Sequence, residues 1–217
     1  MVRVLGKENT LLNKFVSELR DVHIQRDSMR FRKNLERVGE IMAYEISKTL
    51  RYKPLTVETP LGEAELNVPE SEVILAPILR AGLPMHTGFL NFFDDSENAF
   101  VSAYRHYRKD GTFHIDIDSV TTPSLLGKTL VIIDPMLATG ASMEIAYQAL
   151  VQMGGETEFT HIASVIASED GVEYLKKRFS PDKMKIWTTA VDEELTVKSY
   201  IVPGIGDTGD LAYGSKI

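Results

Sequence analysis

The run Thr129-Leu130-Val131-Ile132-Ile133 reads as an apolar strand, and it leads straight into an acid and a compact loop. That loop is Asp134-Pro135-Met136-Leu137-Ala138-Thr139-Gly140-Ala141-Ser142, after which a helical pattern begins. Such a turn aims backbone N–H groups and the positive end of a helix dipole at one point, where a phosphate is stabilised. Asp134, at the strand's C-terminal end, can accept hydrogen bonds from sugar hydroxyls beside that phosphate. The chemistry indicated is that of a phosphorylated sugar. The same residues also read as an ordinary strand-to-helix connection capped by Ser or Thr. The acid, the short loop and the Thr-Gly pair weigh towards phosphate. A Gly-Lys-Ser/Thr ending is absent, so this is not a Walker A loop.

A second chemical segment lies near the C-terminus: Tyr200-Ile201-Val202-Pro203-Gly204-Ile205-Gly206-Asp207-Thr208-Gly209-Asp210. It contains a literal G-x-G-x-x-G, but only eight residues follow Gly209. A dinucleotide site needs that motif inside a long βαβ unit, so the match is a decoy. What the glycines do offer is bare backbone that can approach a planar ligand closely. Amides and carbonyls there can read the edge of a small heterocycle, with Asp207 holding a polarised partner nearby. The competing reading is a flexible tail with turn glycines.

Arg80, beside Gly82, and Arg105 each follow or end a strand pattern. A guanidinium fork at such a position suits a diphosphate, although either arginine also reads as a surface ion-pair residue. Arg108 and Lys109 read more simply as solvating a hairpin. The histidines at 23, 86, 106, 114 and 161 show no metal-ligand spacing, and none is given a catalytic role. Trp187 sits in a predicted core strand and reads as packing.

These residues need elements to hold them. Leu11, Leu12, Phe15 and Leu19 predict a helix over Asn9 to Arg20, and Phe31, Leu35, Val38, Met42 and Ile46 a second over Ser28 to Leu50. Val57 to Val68 reads as a short hairpin or flap. Glu72 to Leu79 reads as a buried strand, followed by a helix through Phe92, then a strand over Phe100 to Tyr104. Asp110-Gly111 predicts a turn before the alternating Phe113, Ile115 and Ile117. Strand Thr129–Ile133, helix Ala141–Met153, strand Thr160–Ala167, helix Asp170–Phe179 and strand Met184–Val191 complete the pattern. Strands alternating with helices of this length indicate an α/β fold with a mainly parallel sheet covered on both faces. In such sheets ligands sit beyond the C-terminal strand ends, where Arg80, Arg105 and Asp134 converge.

The bulk numbers agree. At 217 residues, with 43% hydrophobic and 25% charged residues, the chain reads as one domain spanning 1–217, with no linker or repeat. A net charge of −7 argues against non-specific binding to nucleic acid or anionic membrane. The absence of cysteine excludes disulfides, thiolate metal sites and thiol nucleophiles. No signal-peptide core or membrane-length apolar run is visible, which predicts a cytoplasmic protein.

Taken together, these segments resemble the uracil phosphoribosyltransferases over nearly the whole chain. Ile133 through Ser142 is similar to that family's phosphoribosyl-diphosphate loop. Ile78-Leu79-Arg80-Ala81-Gly82-Leu83 is similar to its diphosphate-contacting turn, and Tyr200 through Asp207 with Gly209-Asp210 to its uracil-reading loop. The resemblance implies a type I phosphoribosyltransferase fold, with a small hood and a β-hairpin flap. It implies the reaction of uracil with 5-phosphoribosyl 1-diphosphate to give UMP and diphosphate, with Mg²⁺ carried on the substrate's diphosphate rather than by protein ligands. Arg80 and Arg105 would hold the diphosphate and Asp134 the ribose hydroxyls. Pro135, Met136 and Leu137 lead into Ala138, Thr139, Gly140, Ala141 and Ser142, which would wrap the 5′-phosphate. Ile201, Gly206 and Thr208 would read uracil, with Asp207 facing the substrates or their magnesium. Arg105 and Asp207 are the residues assigned to catalysis, Asp207 as an aid in removing the proton from uracil N1.

The sequence departs from the family pattern in two places. Ala141 stands where the family usually has a second glycine, so its backbone must avoid the left-handed region. His106-Tyr107-Arg108-Lys109-Asp110-Gly111 lacks the acidic character common in that flap. The resemblance suggests a homodimer or larger assembly, with the N-terminal helices as contacts, and leaves open a GTP effector, which some relatives have. A hypoxanthine or orotate phosphoribosyltransferase is the nearest rival, and the Tyr200–Asp210 loop argues against it. A non-catalytic RNA-binding regulator on the same fold is the rival from another class, and the acidic balance argues against that.

Overall fold

The computed structural model describes residues 1–107 and 113–215, with the side chains of 104–115 outside that description. Its central sheet has eight strands. Along the main path the order is Val2–Val4, Met184–Thr188, Phe159–Ala163, Thr129–Ile133, Val73–Leu79, Phe100–Tyr107 and Phe113–Thr121, and Glu97–Asn98 also pairs with Val73–Leu79. Every pairing in it is parallel except the last, where Phe100–Tyr107 and Phe113–Thr121 run antiparallel.

The alternation along the central strands explains the layering. Leu75, Val131, Ile133 and Ala163 face one core, with Leu12, Phe31, Leu35, Met42 and Phe89. Those residues come from helices α1 (Leu11–Arg20), α2 (Ser28–Ser47) and α3 (Leu83–Leu90). Ile74, Ala76, Leu130, Ile132 and Ile162 face a second core, with Met143, Leu150 and Leu175. Those come from α4 (Ala141–Gly154) and α5 (Glu169–Arg178). Strands buried on both faces read as continuous apolar runs, as parallel strands between two helical layers must.

Caps fix where the helices start. Thr10 accepts from the Leu12 N–H, Asp27 from the N–H groups of Met29 and Arg30, and Ser168 from that of Gly171. In α5, Glu169 and Asp170 open the first turn and Lys176, Lys177 and Arg178 close the last, matching the helix dipole.

Several expectations are corrected. Leu11 is 71% exposed, because the buried stripe of α1 runs through Leu12 and Leu19, and Leu11 stands roughly 100° round from Leu12. Helix α2 stops at Ser47 and α3 at Leu90. The expected strand Thr160–Ala167 is two strands, Phe159–Ala163 and Ile166–Ser168, and Met184–Val191 likewise divides into Met184–Thr188 and Ala190–Asp192. The chain changes sheets at these breaks. The N–H groups of Val165 and Ile166 turn to the carbonyl of Pro135, and the Thr189 N–H bonds the carbonyl of Val165. Beyond the breaks, Met136–Leu137, Ile166–Ser168 and Ala190–Asp192 form a three-stranded parallel sheet. Glu194–Leu195 and Ile201–Val202 pair antiparallel beside it in sequence. The tail, read above as too short for the dinucleotide motif, does open a helix, α6, but of six residues only (Thr208–Tyr213).

The expected hairpin is longer than its sequence signal, with Tyr52–Thr59 pairing against Gly62–Pro69. The Asp110-Gly111 turn, with Arg108 and Lys109, lies outside the described residues. The strands flanking it pair as expected, from Tyr107 with Phe113 to Phe100 with Thr121.

Candidate active site

The two strands that carry Arg80 and Asp134 are neighbours in register, with Pro77 opposite Ile133. Arg80 follows the first directly and Asp134 follows the second. Gly82 makes this proximity possible. A Cβ placed there would lie 2.5 Å from the carbonyl oxygen of Ile133 and 2.9 Å from that of Ile78. Its dihedrals are ordinary (φ −69°, ψ −19°), so it is the absent side chain that matters here.

Beyond Asp134 the loop is held from several sides. The Asp134 N–H donates to the Ala163 carbonyl at 3.1 Å, and its carboxylate accepts from the Met136 N–H at 3.4 Å. The Pro135 carbonyl accepts from Val165 and Ile166, and Met136–Leu137 pairs with Ile166–Ala167. Ser168 donates its hydroxyl to the Ala138 carbonyl at 2.5 Å while capping α5. The Thr139 hydroxyl accepts from the Ala141 N–H at 3.4 Å. Gly140, at φ +81°, takes the left-handed conformation, and Ala141 begins α4 directly after it. The left-handed step thus falls on the glycine and not on Ala141, as the alanine requires. Helix α4 has no side-chain cap, and Ala141 and Ser142 lie half-buried in its first turn. An uncapped helix start of this kind, with first-turn amides and the positive end of the dipole at one point, has the chemistry to hold an anion.

The tail meets the Arg80 turn. Arg80 Nη2 donates to Asp210 Oδ1 at 2.7 Å and to the Gly214 carbonyl at 2.6 Å. A Cβ on Gly209 would stand 3.5 Å from Arg80 Nε, so α6 lies directly against the guanidinium. Asp207 caps α6, its Oδ1 accepting from the Asp210 N–H at 3.0 Å, while Oδ2 lies 3.5 Å from the Tyr200 hydroxyl. Ile201 is buried and pairs with Leu195, Gly206 sits at φ +79°, and Thr208 is buried at the start of α6. The peptide bonds Leu79–Arg80 and Val202–Pro203 are cis.

The phosphate-type loop, the Arg80 turn and the tail are therefore joined in space, the first two through Gly82 and Ile133 and the last two through Arg80 and Asp210. Arg105 lies on Phe100–Tyr107 opposite Ile115, and that strand borders Val73–Leu79, but the arginine's side chain is outside the described residues. Sequence reasoning missed two residues here. Arg20 and Asp192 are joined in a bidentate pair that also binds both backbone groups of Gly204. No local spacing links positions so far apart.

No group of three or more potential metal-ligating side chains occurs among the described residues. A cavity of about 410 Å³, lined among others by Arg51, His161 and Lys185, lies at the other end of the strands. The rim is assigned by its convergent groups and not by depth of hollow.

The uracil phosphoribosyltransferase family model matches residues 6–215. The chain belongs to that family. It is 57% identical over 213 residues to a uracil phosphoribosyltransferase of Porphyromonas gingivalis, covering 98% of each chain. It is 35% identical to one from Methanothermobacter thermautotrophicus, covering 99% of this chain and 95% of the relative. Among solved structures, the AQ2163 protein from Aquifex aeolicus is 30% identical, with a TM-score of 0.87 over the full length of both chains. The activity is that of a pentosyltransferase, uracil phosphoribosyltransferase, and the fold is the mainly parallel, helix-flanked sheet expected of the type I class. No helix among the described residues is long and apolar enough to cross a membrane.

Proposed function

We propose that this rim transfers the 5-phosphoribosyl group from phosphoribosyl diphosphate to N1 of uracil, with roles divided among its residues as follows. Arg80 and Arg105 take the diphosphate, Asp134 the ribose hydroxyls, and Pro135 through Ser142 the 5′-phosphate. Ile201, Gly206 and Thr208 read the base, with Asp207 beside it. The observation that carries this reading is the convergence of three separate segments at the C-terminal ends of the strands, through Gly82 against Ile133 and Arg80 against Asp210.

Breaking the bond from C1 of ribose to the diphosphate leaves positive charge on the sugar and added negative charge on the leaving group. The new bond runs from uracil N1 to C1, and N1 gives up its proton. Catalysis then consists of holding N1 beneath C1 and stabilising the departing diphosphate, whose magnesium arrives with the substrate. Removing Arg80 costs about 2–4 kcal/mol of transition-state stabilisation. Uracil presents a carbonyl, an N–H and a carbonyl along one edge, whereas cytosine reverses the polarity at C4. A backbone donor aimed at that carbonyl would face another donor with cytosine, which buried sites penalise heavily.

Diphosphate release from phosphoribosyl diphosphate and Mg²⁺ is the test, run without base and with uracil, cytosine, hypoxanthine and orotate. Release with uracil alone is expected. Release with a purine or orotate in preference to uracil would reassign the base loop.

We read residues 1–217 as one domain and the protein as cytoplasmic, in keeping with a salvage enzyme acting on intracellular metabolites. A homodimer or larger assembly is supported by the Tyr52–Pro69 hairpin, where Leu55 pairs with Leu66 and both are exposed. Sedimentation measures it. A GTP effector rests on the family likeness, and titration of GTP against the rate of diphosphate release tests it.

A further inference from the structure

Arg80 is held by few groups. Its Nε is buried without a hydrogen-bond partner, and among the described residues its bonds run only from Nη2, to Asp210 and to the Gly214 carbonyl. Both partners belong to the tail, Asp210 within α6 and Gly214 immediately after it. Asp210 is itself tied to the base loop, since its N–H donates to Asp207 and its carbonyl accepts from the Gly214 N–H. One carboxylate thus connects the arginine assigned to the diphosphate with the helix that begins at Thr208, the last of the residues assigned to the base.

We propose that Asp210 is a positioning residue: it fixes the Arg80 guanidinium on α6, so that the diphosphate and base subsites are set by one another. This rests on the reading of Arg80 as the diphosphate ligand. The contact is a brace that persists with substrate bound, because it uses Nη2 alone and leaves both N–H groups of Nη1 free of protein partners among the described residues. An unbraced arginine carries considerable rotamer entropy, and holding it in advance lowers the cost of each bond it makes to the leaving group. The side chain of Asp210 has no part in capping α6, where its backbone N–H serves, so its removal spares the helix start.

Asp210→Ala is expected to lower kcat/KM for phosphoribosyl diphosphate about ten- to a hundredfold, chiefly in kcat. Asp210→Asn, which keeps an acceptor for Nη2, is expected to stay within about threefold of the parent. A double-mutant cycle decides whether the effect runs through Arg80. In an Arg80→Ala background, Asp210→Ala should change the rate less than about twofold. An equal loss in both backgrounds, an unimpaired Asp210→Ala enzyme, or an Asn variant as poor as the alanine would each overturn the proposal. If Arg80→Ala alone kept full activity, the assignment of Arg80 to the diphosphate would fail, and with it the premise and not merely the brace.

Discussion

Arg20 Nη1 and Nη2 each lie 2.8 Å from an oxygen of Asp192, and the pair closes around one glycine of the base loop. Arg20 Nη1 also donates to the Gly204 carbonyl at 2.9 Å, and the Gly204 N–H returns to Asp192 Oδ2 at 2.9 Å. Burial opposes ionisation of Asp192, but the Arg20 and Gly204 bonds outweigh it and hold its carboxyl below the ordinary range. The last residue of α1 thereby helps to hold the loop that we propose reads the base.

Asp192→Ala is expected to raise KM for uracil about tenfold or more, with less effect on KM for phosphoribosyl diphosphate. It leaves the mostly buried Arg20 side chain without its carboxylate, so stability should also fall by about 3 kcal/mol, read by urea unfolding. Equal KM changes for both substrates would mean that the pair supports the fold in general and not the base loop.

How much of this was legible in the sequence depended on distance along the chain. The strand Thr129–Ile133 was readable as an unbroken apolar run and helix α4 as a helical pattern directly after it, and the acid and glycine between them mark the turn. Arg80 and Asp134 could be placed at one rim because parallel strands share a C-terminal end. The apolar run Thr160–Ala167 gave no sign of its break at Ser164, because both halves are buried and nothing in composition distinguishes a strand that changes sheets. Arg20 with Asp192, and Arg80 with Asp210, are bonds between positions with no local relation, and only the folded chain brings them together.

Asp207 holds two offices that substitution can separate. Its Oδ1 caps α6 and its Oδ2 faces the Tyr200 hydroxyl. Asparagine caps as well as aspartate but cannot take a proton. Asp207→Asn should therefore fold as the parent does, with kcat about a hundredfold lower if the carboxylate assists at N1. Asp207→Ala should lose the cap too, at about 1 kcal/mol. Unchanged turnover in the asparagine enzyme would remove Asp207 from proton transfer and leave it as a cap.

Gly82→Ala sets a methyl group against the Ile133 and Ile78 carbonyls at 2.5 and 2.9 Å, both backbone atoms that cannot rotate aside. The strand ends must part, costing about 3 kcal/mol, and Arg80 shifts relative to Asp134. Activity should fall further than stability alone explains, measured on the fraction folded at low temperature. A fully active, equally stable Gly82→Ala protein would show that the two turns are not as close as drawn.

His161 makes a prediction about pH. Its ring is 2% exposed, and Trp187 donates its indole N–H to Nδ1 at 3.0 Å, so the folded ring is neutral with its proton on Nε2. Burial first, and then the charge of Lys185, push its pKa from 6.5 down to about 3. The unfolded chain takes up a proton below about pH 6.5 that the folded protein refuses until about pH 3. Stability is thus complete above the unfolded value and falls as pH drops between the two, by up to about 1.4 kcal/mol per pH unit. His86, lowered chiefly by burial, acts in the same direction. Glu18, held at about 2 by Arg30 and Asn34, withdraws its own stabilisation only as pH falls below the ordinary carboxylate value. Urea unfolding between about pH 7 and about pH 5 therefore isolates the histidines. His161→Gln, which keeps an acceptor for the indole, should reduce that slope by up to one proton's worth and leave part of it to His86. An unaltered slope in this variant would mean that His161 is protonated in the fold, and that its bond with Trp187 does not hold in solution.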